Sequence, residues 1–399
     1  MKKYHAVLAG LFVSAAALPA QAEPYLYKQL AKYPEFSGAG ADGKVTIYGT
    51  VDLSANYVKA EHAEGLTNMQ SGGAYTSKLG FYGREDLGGG LRAEFMLESS
   101  IKADTGASGS TFYDRGSWVG LKSTSWGTLR LGNQLGVTLP LFVDPYGLVT
   151  TNSMSYWLAS AIVQKSRYTS GITSVGLNSD LGNGATQVTT RVPRAISYLS
   201  PRFGGFDMKV LYAPGAQGTT GTKIYNQGAV TTYVNGPWYA AASYNQVWGL
   251  NATTLAEVRT DVTGIAGIYD AGDLVLSLAV NQSAVKIANG GTATVYSLGA
   301  ILPQDRHTWR LSLVYRDTDG VRNTATQEEV SSSALGLMAG YDYEFSRRVG
   351  LYARAGVLRN YGASTIILNN ASLPLQSGSS NAQLGIESRT ASVGLYYHF

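Results

Sequence analysis

Between Val45 and Tyr57 apolar or small residues recur at every second position. Val45, Ile47, Gly49, Val51, Leu53, Ala55 and Tyr57 share one face of an extended chain, and Thr46, Tyr48, Thr50, Asp52, Ser54 and Asn56 share the other. The last segment repeats the pattern, with Ala391, Val393, Leu395, Tyr397 and Phe399 opposed to Thr390, Ser392, Tyr396 and His398. After residue 22 no window approaches 18 apolar residues, so no helix of this chain is long and apolar enough to cross a membrane. A period of two dictates strands. Equivalent first and last strands suit a sheet closed on itself.

Similar segments lie between them. Leu91, Ala93, Phe95 and Leu97 alternate with Arg92, Glu94, Met96 and Glu98, and Trp309, Leu311, Leu313 and Tyr315 with Arg310, Ser312 and Arg316. Leu335, Leu337, Ala339, Tyr341, Tyr343 and Phe345 oppose Asp342 and Glu344, while Val349, Leu351, Ala353, Ala355 and Val357 oppose Tyr352 and Arg354. The alternation weakens in the middle of the chain. Sixteen strands are predicted, at 44–58, 77–88, 91–102, 115–123, 126–133, 194–200, 206–214, 228–235, 237–247, 257–270, 274–286, 292–302, 307–317, 332–346, 348–360 and 389–399. Short links such as Gly88-Gly89-Gly90 alternate with long polar ones such as 59–76, 103–114 and 361–388. That is the arrangement of an outer-membrane barrel, and an even strand count puts both ends on the short-turn, periplasmic side.

Composition separates this reading from a secreted β-sandwich. Only 15% of the 399 residues are charged, against about a quarter in a soluble domain, and 48 Gly and 27 Tyr take their place. A sandwich needs charge on its exposed strand faces. Here those faces carry Leu, Val, Tyr and Phe, and in water they would form an apolar surface far above the few hundred Å² a monomer exposes. The fold class is therefore all-β, a transmembrane antiparallel β-barrel.

Residues 1–22 have Lys2 and Lys3, an apolar run from Ala6 to Leu18, and Ala20-Gln21-Ala22 before Glu23, the three-part pattern of an export signal cleaved after Ala22. The run is too short for a spanning helix. There is no cysteine, which removes disulfides and thiolate metal sites. His5, His62, His307 and His398 are dispersed, leaving little for imidazole chemistry. A net charge of +4, or +2 without Lys2 and Lys3, lacks the basic excess of a nucleic-acid binder. Gly38-Ala39-Gly40-Ala41-Asp42-Gly43 fits a dinucleotide fingerprint, yet it precedes a strand and opens no helix. No enzyme, cofactor or metal is expected.

Several stretches resemble the trimeric general-diffusion porins of Gram-negative outer membranes. They are Val45 to Asp52, Ser77 to Leu91 with its Tyr82-Gly83-Arg84-Glu85-Asp86-Leu87, Arg115 to Leu121, Gly127 to Gln134, Ser200 to Phe206, and the terminal Tyr397-His398-Phe399. The resemblance covers about residues 44–399. It implies a 16-stranded barrel in the outer membrane, a homotrimer, and a third external loop folded into the lumen. It also implies passive diffusion of small hydrophilic solutes and ions through a water-filled channel. Phe399 resembles the signal such proteins present to the outer-membrane assembly machinery. The trimer contact is expected on the outward faces of the first and last strands, where Gly49 and Ala55 flank Val51 and Leu53.

The loop candidate is 134–193, with Pro140, Asp144-Pro145-Tyr146-Gly147 and Tyr156-Trp157; loops of that length are usually functional. In the family, acidic loop residues face a basic wall on the early strands. Parity points Lys78, Arg84, Arg92, Lys122 and Arg130 to the lumen. The loop itself offers Asp144 and Asp180 against Lys165, Arg167 and Arg191. Two family arginines are replaced, by Asn133 and Ser197. A weak to moderate anion preference is expected, opposed by inward Glu94, Glu98, Asp342 and Glu344. Alternatives remain: a substrate-selective porin in which Tyr146, Tyr156 and Trp157 stack on a sugar or aromatic solute, or a binding or adhesion barrel plugged by this loop or by residues 23–43. That extension is read as a disordered periplasmic leader, or as a short helix presenting Tyr25, Leu26, Leu30, Ala31 and Tyr33.

Overall fold

The computed structural model describes residues 25–30, 43–61, 63–109, 111–138, 143–147, 152–163, 176–186, 190–215, 221–251, 254–366, 368 and 384–399. The export signal read at 1–22 lies outside them. Sixteen antiparallel strands make the wall. The first five are β1 (Lys44–Ala60), β2 (Lys78–Gly88), β3 (Leu91–Lys102), β4 (Gly116–Ser123) and β5 (Gly127–Leu135). After the long loop come β6 (Arg191–Leu199), β7 (Phe206–Pro214), β8 (Ile224–Asn235), β9 (Trp238–Leu250), β10 (Glu257–Asp270) and β11 (Val275–Val285). The last five are β12 (Thr292–Gln304), β13 (His307–Asp319), β14 (Ser332–Glu344), β15 (Val349–Gly362) and β16 (Glu387–His398). Among the described residues two short helices, α1 (Tyr25–Leu30) and α2 (Met154–Ser160), are not part of the wall.

Each strand pairs with its neighbours in sequence, and β16 closes on β1 from Thr50↔His398 to Ala60↔Ser388. Closure leaves no unpaired edge, the condition for crossing hydrocarbon with strands. The seam ends at Phe399, whose N–H donates to the Gly49 carbonyl (3.1 Å) and whose carbonyl accepts from the Gly49 N–H (3.0 Å). A Cβ at position 49 would lie 2.3 Å from the Phe399 ring, so the terminal aromatic fits only over glycine.

Exposure runs opposite to that of a soluble protein. On β1 Ile47 is 60% exposed and Asp52 0%; on β16 Val393 is 61% exposed and Ser392 4%. The apolar faces point out and the polar faces in, as the alternation predicts for a wall between lipid and water. Short turns carry the residues their geometry needs. Gly88, Gly89 and Gly90 all have positive φ, which three L side chains would resist.

Two departures from the sequence reading have physical causes. β6 begins at Arg191, three residues early, because pairing resumes on the far side of a bulge: Pro193 has no N–H to donate, and the ladder skips from Val192↔Gln134 to Ala195↔Gly132 with Arg194 at φ 54°. The weak alternation in the middle arises because the inner faces there are also apolar. Leu211, Ala213, Val230, Ala241, Ala266 and Ala279 form one buried cluster with Val137 and Val192, and Val143 packs against it. A short strand, Leu66–Ser71, pairs with the outer half of β1, a place the sequence reading gave to loop.

Candidate functional site

Three elements outside the ladder contact inner-face side chains. Residues 73–75 are held by Asp52 of β1, whose carboxylate accepts from the N–H groups of Gly73 (3.1 Å), Ala74 (2.8 Å) and Tyr75 (2.6 Å) and from the Tyr352 hydroxyl. Tyr75 then packs edge-on against Tyr396 and His398. Asn152, just before α2, donates to the Gly73 carbonyl at 2.7 Å, which ties this element to the next.

The second element is the segment around Asp144 and α2. Ser153 caps α2 by accepting from the Tyr156 N–H, and Ser155 bonds Ser297 of β12 at 3.0 Å. Met154, Trp157 and Leu158 are buried with Val295, Val314, Ala334 and Met338. Asp144 accepts from the N–H of Tyr146 (2.7 Å), the N–H of Ser155 (3.0 Å) and the Ser312 hydroxyl (3.2 Å). Burial pushes its carboxyl above the ordinary value, against the pull of those hydrogen bonds. Further along, Arg316 of β13 donates to the Leu158 carbonyl, to Asn178 and to both oxygens of Asp180.

The third element is α1. Tyr25 and Leu26 donate their N–H groups to Asp270 at 2.9 and 2.8 Å. The Tyr25 hydroxyl accepts from Arg310 at 2.9 Å. Arg310 also donates to the Pro145 carbonyl (2.7 Å) and pairs with Asp342, which pairs in turn with Arg354. The Arg354 guanidinium sits 5.1 Å from the ring centres of both Tyr146 and Tyr352, a charge held between aromatic faces.

In a second charged group, Glu98 of β3 accepts from Arg115 just before β4 (2.7 Å) and from Tyr48 of β1 (2.9 Å) and lies 3.6 Å from the Lys78 ammonium of β2. The three elements and residues of the two charged groups line an open cavity of about 280 Å³. It is bordered by Lys78, Arg115, Arg310 and Arg354, by Asp144 and Asp342, and by Tyr25, Tyr75 and Tyr146. That is small beside the 300–1,000 Å³ of sites for drug-sized ligands.

Of the residues predicted from the sequence to line the constriction, Lys78, Asp144 and Tyr146 border this cavity. Tyr146 is buried, with its hydroxyl on the carbonyls of Arg310 (2.9 Å) and Met338 (3.2 Å). Trp157 is 5% exposed in the apolar cluster, and Tyr156 is half-buried edge-on to it. Arg130 stacks 4.0 Å above Trp118 and lies 3.8 Å from Glu94. Arg84 and Arg92 face inward nearer the 88–90 turn, and Lys122 is exposed one residue before the end of β4. These four are not among the residues bordering the cavity. Lys165 and Arg167 lie outside the described residues. The sequence reading placed Arg310 and Arg354 on polar strand faces without assigning them a site, and gave Asp342 only as an inward charge opposing anion preference. Their signal was charge on an inner face at matching heights of adjacent strands, which needs the register to be read.

A family model described as Gram-negative porin matches residues 6–363. The chain is 32% identical over 341 residues to outer membrane porin protein 32 of Delftia acidovorans, covering 83% of this chain and 88% of that one. It is 27% identical over 336 residues to the major outer membrane protein P.IB of Neisseria lactamica, with 79% and 88% covered. Among solved structures it resembles an anion-selective porin from Comamonas acidovorans, with a TM-score of 0.69, 28% identity, and 89% of this chain and 99% of that one covered. With its closed 16-stranded wall, apolar outside and polar within, the chain belongs to the Gram-negative porin family and is an outer-membrane channel for passive diffusion of small solutes.

Proposed function

We propose that this channel passes small hydrophilic solutes and ions with a preference for anions, and that its narrowest section lies where the 134–193 loop faces the basic wall of the lumen. The supporting observation is the charge around the 280 Å³ cavity: Lys78, Arg115, Arg310 and Arg354 against Asp342 and Asp144. Burial raises the pKa of the Asp144 carboxyl above the ordinary value. The anion selectivity of the Comamonas acidovorans porin agrees with this sign. Bilayer recordings under a KCl gradient test it. The expected zero-current potential has the sign of anion preference, and a cation-selective wild type overturns the reading. Acidification from pH 7 neutralises Asp144 before carboxylates of ordinary pKa, so anion preference rises as pH falls. Asp144→Asn removes that first step and shows the higher preference already at pH 7.

On the same reading, residues 1–22 are removed on export, three copies associate through the outward faces of β1 and β16, and Phe399 is presented to the assembly machinery. Val393, Leu395 and Tyr397 beside Val51 supply an exposed apolar face for the trimer contact. Phe399→Ala keeps the main-chain bonds to Gly49 while removing the ring. Cells carrying it are expected to assemble severalfold less barrel in the outer membrane, while detergent-refolded protein conducts normally. Unchanged assembly in cells refutes the role.

A further inference from the structure

We propose that α1 is a built-in side of the pore, docked on the inner wall at the periplasmic end, and that it sets the channel's conductance and size limit. This rests on the transport reading and adds to it an element from outside the barrel.

The wall is shaped to receive this helix. Ile268 of β10, Val275 of β11 and Ile301 of β12 occupy inner-face positions, where a water-filled lumen calls for polar side chains, and all three are less than 10% exposed. They form one cluster with Tyr25, and Leu26 packs against it. Val143 and Tyr239 also pack against this cluster, and α1 removes further apolar area of it from solvent. Beside the patch stands Asp270, also on the inner face, which accepts the first two N–H groups of α1. A helix of six residues does not hold its shape alone, and a carboxylate supplied to its orphan donors offsets part of that cost. Apolar and polar halves of the receptor thus match the two halves of the helix.

Docking also links α1 to the rest of the cavity. Arg310 donates to the Tyr25 hydroxyl and to the Pro145 carbonyl, so one guanidinium joins the helix to the loop segment. Tyr25, Leu26 and Gln29 border the cavity together with Lys78 and Tyr75. A solute crossing there passes the side chains of α1 as well as those of the loop.

The test compares full chains in planar bilayers and in liposome swelling. Replacing Tyr25–Leu30 with six Gly and Ser residues is expected to raise single-channel conductance at least 1.5-fold and to admit sugars one ring larger than the wild type does. Asp270→Ala is expected to shift both readouts the same way by less; because Asp270 also accepts from the Gly272 N–H, the Gly-Ser variant, which leaves that turn intact, is decisive. The chain has no cysteine, so Leu26→Cys with Ile301→Cys, bridged by a short thiol-specific cross-linker, reports docking directly. Bridged protein is expected to conduct no more than wild type, with reduced current fluctuation. A Gly-Ser variant that conducts with wild-type amplitude and size limit overturns the proposal, as does absence of the cross-link in folded barrels. Wild type and variants that all fail to conduct overturn the transport reading instead.

Discussion

Arg316→Ala is expected to detach α2 and the 176–181 stretch from the wall while leaving the barrel folded. Arg316 is 1% exposed, and one nitrogen of its guanidinium, Nη2, reaches both oxygens of Asp180 at 3.0 and 2.8 Å. It also bonds Leu158 at the end of α2 and Asn178 before the 3-10 turn Ser179–Leu181. Removing one partner of a buried pair leaves the other charge desolvated and unpaired, a cost of about 3–5 kcal/mol. That cost falls on the loop, because the β13 ladder to β12 and β14 is made by main-chain groups that the substitution does not touch. The variant is expected to keep the heat-modifiable gel mobility of a closed barrel but to be cut by protease between residues 152 and 181, and to show noisy, larger unitary currents. Arg316→Lys restores a point charge without the fork and recovers only part of the effect. Arg316→Met with Asp180→Ala removes both charges and is expected to be milder than Arg316→Ala alone. An Arg316→Ala protein with wild-type protease resistance and steady currents refutes the anchoring role.

The barrel was legible in the sequence because its period is local. Two-residue alternation tells lipid from lumen without any knowledge of partners, which is why the order and number of strands could be read from one chain. Where it blurred, between β7 and β11, the inner face carries Val, Leu and Ala under a covering segment, so both faces are apolar. The site was legible only in part. Parity puts Lys78, Arg310 and Arg354 inside but gives neither height nor neighbour. Arg316 meets Asp180 across 136 positions, and Arg310 meets Tyr25 across 285. A short helix presenting Tyr25, Leu26, Leu30, Ala31 and Tyr33 was one of two readings of that extension, and nothing in it pointed to the receptor. The available signal was Ile268, Val275 and Ile301, apolar residues on faces the alternation reserves for water.

Lys78→Glu and Lys122→Glu change the net charge by the same amount and both reverse a cation on the inner side of the wall, yet only the first is expected to abolish or invert anion preference. Lys78 borders the cavity and lies 3.6 Å from Glu98, whereas Lys122 is exposed beside the short turn after β4. Fields in electrolyte decay over about 8 Å at 0.15 M salt and about 30 Å at 0.01 M. A charge at the mouth therefore acts weakly on an ion in the cavity at physiological salt and more strongly as salt is lowered. Reversing Lys78 takes the cavity from four cations and two carboxylates to three of each, with Glu98 adjacent. Even a new carboxyl that keeps its proton at neutral pH removes one cation from the cavity. The zero-current potential in a KCl gradient is expected to move toward or past zero for Lys78→Glu and to stay near the wild-type value for Lys122→Glu. The gap between the two variants should narrow in dilute KCl. Equal shifts at 0.15 M salt mean that selection depends on the charge of the whole lumen, and that the ring of Lys78, Arg115, Arg310 and Arg354 has no special place in it.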